Sequence, residues 1–161
     1  MTDNFIQLKK DNLLRIGIKD SEGKDTGEVL TFDLEDVELL LHYQEAQEKM
    51  KKNKQWLKNQ LLIIEKRQDV KGKKLLSKNE EDYFKAIDEF CKRQEEAYNI
   101  FLGENGVKKL LNGRKMGWTT LDEIDEIINT QLLPYIIEHT KSIKEKIKDK
   151  YGNIDVKGVL K

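Results

Sequence analysis

Cysteine, histidine, proline and long apolar runs are all scarce in this chain. One cysteine, Cys91, excludes an intrachain disulfide and suits a reducing, intracellular setting. Two histidines, His42 and His139, have no partners at metal-ligand spacing, so no metal site and no cofactor are expected. No apolar run is long enough to cross a membrane, and Met1-Thr-Asp-Asn-Phe5 has neither a basic nor an apolar stretch, so no signal peptide is expected. Net charge is missing too: 30 basic and 30 acidic side chains cancel, and no global field draws in nucleic acid or an anionic membrane. What the chain does have is charge of both signs, 37% of its residues, which suits long solvated helices more than a thick globule. Its 161 residues fit one domain. A domain of this length buries roughly 68–70% of its unfolded surface without a staple.

Two segments alternate. Leu14, Ile16 and Ile18 share one face of residues 13–20, and Leu30, Phe32 and Leu34 share one face of residues 28–34. With turn formers between them, these predict a β-hairpin over 13–34. Two strands alone are marginal in water, so the apolar face must rest on helices or on another subunit. From 36 to about 68 the period becomes helical, with Leu39, Tyr43, Ala46, Met50, Leu57, Leu61 and Ile64 in one arc, broken at Asn53 and Lys54. At 1.5 Å per residue this helix spans roughly 50 Å, so part of it should project or bend near Asn53.

Ser77 with Glu80 is a capping box that opens a second helix, 78–102, whose wide face carries Tyr83, Phe84, Ile87, Phe90, Cys91, Ala97, Tyr98 and Phe101. Gly103 suits the left-handed residue that ends it. A short turn, 107–112, stops at Asn112-Gly113. Gly103, Gly106 and Gly113 thus mark a structural corner. Thr120 with Glu123 predicts a last helix, 121–150, with the stripe Leu121, Ile124, Ile128, Leu132, Tyr135, Ile136, Ile143 and Ile147. The one proline, Pro134, removes a backbone bond to Thr130 and predicts a kink there. The expected fold class is mostly α (α+β): an N-terminal β-hairpin packed on three long helices plus one short connecting helix. Residues 1–152 are read as one domain and 153–161 as a loose C-terminal tail.

Chemistry is sought mostly in vain, and no catalytic residue is assigned. The Gly103-Glu-Asn-Gly106 stretch has the glycines of a phosphate loop but lacks its Gly-Lys-Ser/Thr ending and follows a helix, so a helix corner is the better reading. Asp122, Glu123, Asp125 and Glu126 suit a helix start without needing a metal. Cys91 on an aromatic face reads as a small buried hydrophobe, and His139 as a core or interface histidine bonded to a backbone carbonyl. Gln94, in the middle of the same face as Cys91, is either a buried amide with a cross-helix partner or a sign of a polar contact. The basic run from Lys49 to Lys58 with Trp56, extended by Lys66, Arg67, Lys71, Lys73 and Lys74, offers phosphate contacts and one stacking ring. A solvated helix face accounts for it as well, and nucleic acid is not the expected partner. More telling are Leu62, Ile63, Ile100, Leu133 and Ile137, apolar residues off their own helical stripes. They fit either a thicker core or an exposed strip for a partner helix or for self-assembly.

Three stretches carry a family resemblance: Phe32-Asp-Leu-Glu-Asp-Val-Glu-Leu39, Tyr98-Asn-Ile-Phe-Leu-Gly-Glu-Asn-Gly-Val-Lys-Lys-Leu-Leu-Asn-Gly113 and Leu132-Leu-Pro-Tyr-Ile-Ile137. From about Leu14 to Tyr151 the chain resembles the tail assembly chaperones of long-tailed bacteriophages and prophages of Gram-positive hosts. The resemblance implies a protein without catalytic, cofactor or metal residues, made in the cytoplasm of the bacterial host and absent from the mature virion. It implies binding to the tape measure protein and recruitment of the major tail protein, and a homo-oligomer is expected. The five off-stripe positions are the expected partner contact. A basic-faced nucleic-acid-binding protein and a structural phage oligomer are the alternatives.

Overall fold

The computed structural model describes residues 4–8 and 12–152, and 64% of these described residues are helical. The fold is mostly α, with a two-stranded antiparallel hairpin and several helices. Strand β1 (Leu13–Lys19) pairs with β2 (Asp25–Asp33) in the register Leu14 with Phe32 and Ile16 with Leu30, so the two alternating apolar sets meet on one face. Asp20 closes the turn by accepting the backbone N–H groups of Glu22 and Lys24, both at 2.9 Å. Ile18, Leu30, Phe32 and Leu34 are buried, and the rings of Phe32 and Phe101 lie 5.4 Å apart. The hairpin therefore rests on the helices.

Helix α1 (Leu39–Lys66) and helix α2 (Lys78–Leu102) form an antiparallel pair. Residues 36–38 stay outside α1, because Asp36 turns the chain by accepting the N–H of Glu38 at 2.9 Å. The helix runs on through Asn53 without a break. The amide of Asn53 is satisfied across the interface by Gln94 Oε1 at 2.8 Å, so a residue that interrupts the stripe still faces the core. The predicted capping box forms in full: Glu80 N–H donates to Ser77 Oγ at 3.2 Å, and Ser77 N–H donates to Glu80 Oε1 at 3.0 Å.

The corner helix α3 spans Gly106–Leu111. Gly103 has φ of 90° with ψ of 175°, an extended mirror-image conformation open to glycine, where an ordinary left-handed cap was expected. Helix α4 (Trp118–Ile127) starts three residues before the predicted position. Thr120 is inside it, its hydroxyl accepting from Gly117 N–H at 2.6 Å, so the predicted box with Glu123 does not form.

The kink expected at Pro134 is a π-turn over Ile128–Leu132, where Leu133 N–H donates to Ile128 O, and α5 (Leu133–Tyr151) follows with the proline in its first turn. A wider turn removes the clash between a proline ring and the carbonyl four residues back. It also shifts the phase of the helix. Leu133, expected among the free positions, is consequently buried at 8% exposure, while Tyr135, expected on the stripe, is exposed. The loose tail predicted at 153–161 lies outside the described residues.

Candidate functional site

Several residues that suggested chemistry are occupied by the fold itself. Asp125 of the acidic cluster accepts a hydrogen bond from the buried Tyr98 hydroxyl, and Arg114 lies 3.7 Å from Glu123. Burial, and then Asp125, push the Tyr98 hydroxyl well above the ordinary phenol range. No group of three potential metal ligands forms among the described residues. Cys91 is buried, and desolvation followed by Asp88 pushes its thiol up, away from nucleophilic character. His42 Nε2 lies 3.8 Å from Glu38. His139 Nε2 is buried without a hydrogen-bond partner among the described residues, so the carbonyl expected for it is not at that nitrogen. Arg93 covers the Trp56 ring at 4.1 Å. Arg67 is held by Asp82 at 2.8 Å and Lys71 by the Leu75 carbonyl at 2.6 Å, which removes two cations from the basic run.

Helix α2 closes both of its neighbours with asparagine side chains that residue pattern did not single out. Asn79 donates to the Ile64 and Arg67 carbonyls at 3.1 and 3.3 Å, finishing the C-terminus of α1. Asn99 accepts Val107 N–H at 3.0 Å, capping α3 from the preceding helix. Gly106 sits so close to α2 that a Cβ there would lie 2.5 Å from Leu102 Cβ. Gln47, Tyr43 and Asn129 form a chain of hydrogen bonds of 2.9 and 3.2 Å that ties the π-turn to α1.

What stays open is the C-terminal half of α1. Leu62 and Ile63 are 43% and 56% exposed, and Ile137 on α5 is 49% exposed. Ile100 is half-buried beside a polar groove with Lys49, Glu89 and Arg93. The five off-stripe positions thus do not form one surface: Leu133 is in the core and the rest are divided among α1, α2 and α5. Leu62 and Ile63 themselves fall on opposite flanks of α1. On one flank, Ile63 lines a crevice with Trp56, Gln60, Asp82 and Lys85.

On the other, a groove of about 520 Å³ has Leu57, Leu61, Leu62, Phe90 and Trp118 as its walls. Trp118 is placed by the first turn of α4 and by the Phe90 ring 6.0 Å away, yet remains 59% exposed. Lys54, Lys58 and Glu65 rim this groove and form no ion pair among the described residues. The sequence signal available for it was a tryptophan two residues ahead of Thr120, but its place at a helix start depended on where α4 begins. No helix among the described residues is long and apolar enough to cross a membrane. Comparison with protein-family models, with curated proteins and with solved structures gives no match.

Proposed function

We propose that this protein is a non-catalytic tail assembly chaperone that keeps the long helical tape measure protein in solution and brings major tail protein to it. In this reading it acts in the cytoplasm of the bacterial host and leaves before the virion is complete. The observation that carries the proposal is the set of large apolar side chains held outward on a well-packed helical frame, with Ile63 and Ile137 as the client contacts. Each such contact is weak by itself. Many copies bound along one rod-like client gain strength through avidity. The charged faces on α1 and α5 keep the resulting coat soluble.

The test is co-expression with tape measure fragments, reading the soluble fraction of the fragment. The native chain should keep the fragment soluble, and the double variant Ile63→Asp with Ile137→Asp should lose that ability while staying folded by circular dichroism. Full solubilisation by the double variant removes both positions from the contact.

A further inference from the structure

Asparagine precedes glycine twice in this chain, at Asn105-Gly106 and Asn112-Gly113, once at each end of α3. Both asparagines are exposed and both hold left-handed backbone, with φ of 58° and 48°. The dipeptide carries its own chemistry. The backbone nitrogen that follows an asparagine attacks the side-chain amide where no Cβ on the next residue hinders it.

The fold treats the two sites differently. At the first, Gly106 N–H donates to the Gly103 carbonyl at 3.0 Å, and Gly106 is buried so tightly on α2 that a Cβ would meet Leu102 Cβ at 2.5 Å. Its nitrogen cannot turn towards Asn105 without unseating α3. At the second, Gly113 is exposed, and its N–H has no hydrogen-bond partner among the described residues. Nothing lies within 4 Å of the place where its Cβ would stand. Turning the peptide between Asn112 and Gly113 costs the Arg114 N–H bond to the Leu111 carbonyl at 3.0 Å. An exposed bond at a helix end opens far more often than a packed helix start. We propose that Asn112 is a self-modifying site, converted to aspartate and isoaspartate by the Gly113 backbone nitrogen while Asn105 is spared.

The step needs only water. The Gly113 nitrogen forms a bond to Asn112 Cγ and gives up its proton, and the side-chain nitrogen leaves as ammonia. Water then opens the cyclic succinimide. Breaking its bond from nitrogen to Cγ leaves aspartate. Breaking the bond from nitrogen to the main-chain carbonyl carbon leaves isoaspartate, whose backbone runs through Cβ. Either product places a carboxylate at the C-terminal end of α3, the end where the helix dipole disfavours it. That end borders a groove of about 460 Å³ shared with Glu28, Lys108 and Lys109, where Lys109 holds the Val29 carbonyl of β2 at 3.3 Å. The longer isoaspartate backbone separates Leu111 from Arg114, the residue that lies 3.7 Å from Glu123 of α4. Conversion therefore loosens the corner between α3 and α4, whichever client the protein holds.

The test incubates the full-length native protein in mildly alkaline buffer, folded and in guanidinium chloride. Peptide mass mapping reads conversion of amide to acid at residues 105 and 112, and enzymatic methylation reads isoaspartate. In denaturant the two sites should convert at similar rates. In the folded protein, conversion at Asn112 should exceed that at Asn105 by at least about tenfold, since only Asn105 waits for a larger opening. Hydrogen exchange should find the Arg114 amide protected in the native chain and unprotected in the converted one. A ratio no larger in the folded protein than in denaturant overturns the proposal. So does a folded protein in which neither site converts while the unfolded chain converts fully. Equal protection of Arg114 in both chains overturns the loosening of the corner.

Discussion

The two ends of helix α2 are finished in opposite ways. Around Phe101, at its C-terminal end, the rings of Phe32 and Tyr43 lie 5.4 and 5.2 Å away, and the hairpin, α1 and α3 all converge. Near its N-terminal end, Tyr83 and Phe84 touch each other at 5.7 Å and remain exposed. The α4 layer accounts for the contrast, since it meets α2 at Phe90 and runs towards Tyr98, never covering the first turns. One end spends its apolar side chains on the fold, and the other holds them free along α1. The residues that hold the fold are therefore largely distinct from the apolar residues left exposed.

Substitutions at the closed end should damage folding most. Phe101→Ala removes a ring shared by three elements and should cost about 3–5 kcal/mol, read as a lower denaturant midpoint. Gly106→Ala forces a methyl group against Leu102 Cβ, backbone-near and unable to yield, and should cost about 1–3 kcal/mol. A corner that tolerates alanine at 106 without loss of stability would show that α3 is free to shift, and the contrast between the ends would weaken.

The Asn53–Gln94 pair lies between the two ends and sharpens the comparison. Gln94→Leu leaves the Asn53 amide without its partner and should cost about 1–3 kcal/mol, whereas Asn53→Leu combined with Gln94→Leu should recover most of that loss. The double-mutant cycle in urea measures the recovery. Absence of recovery would mean that the amide pair itself, and not the orphaned partner, sets the packing of α1 on α2. Ser77→Ala, at the open end, removes one half of a cap and should cost about 1 kcal/mol.

Much of the fold was legible because periodicity and caps are local. Leu14, Ile16, Leu30 and Phe32 announced the hairpin, and Ser77 with Glu80 announced α2. The misses share a different cause: each needed knowledge of a second element. Asn53 read as a break because its partner, Gln94, lies on another helix. Asn79 and Asn99 do not stand out in the residue pattern, because the ends they close belong to their neighbours. Leu133 read as free because the π-turn that rotates it inward arises from the proline after it, not from the stripe. The apolar groove was half legible, since Leu62 stood out while Trp118 and Phe90 reach it from α4 and α2.

The smallest effect on stability should come from the exposed apolar positions on α1, where client solubilisation is the more sensitive readout. Leu62→Asp and Ile63→Asp replace side chains already 43% and 56% in water, on opposite flanks of one helix, and each should change unfolding free energy by no more than about 0.5 kcal/mol. Their consequences should nevertheless differ. Leu62→Asp places a carboxylate in the groove beside Trp118, away from Ile63, and should leave client solubilisation unchanged. Ile63→Asp should weaken client solubilisation directly. If both variants lose solubilisation alike, the two flanks of α1 act as one surface, and the distinction between them fails.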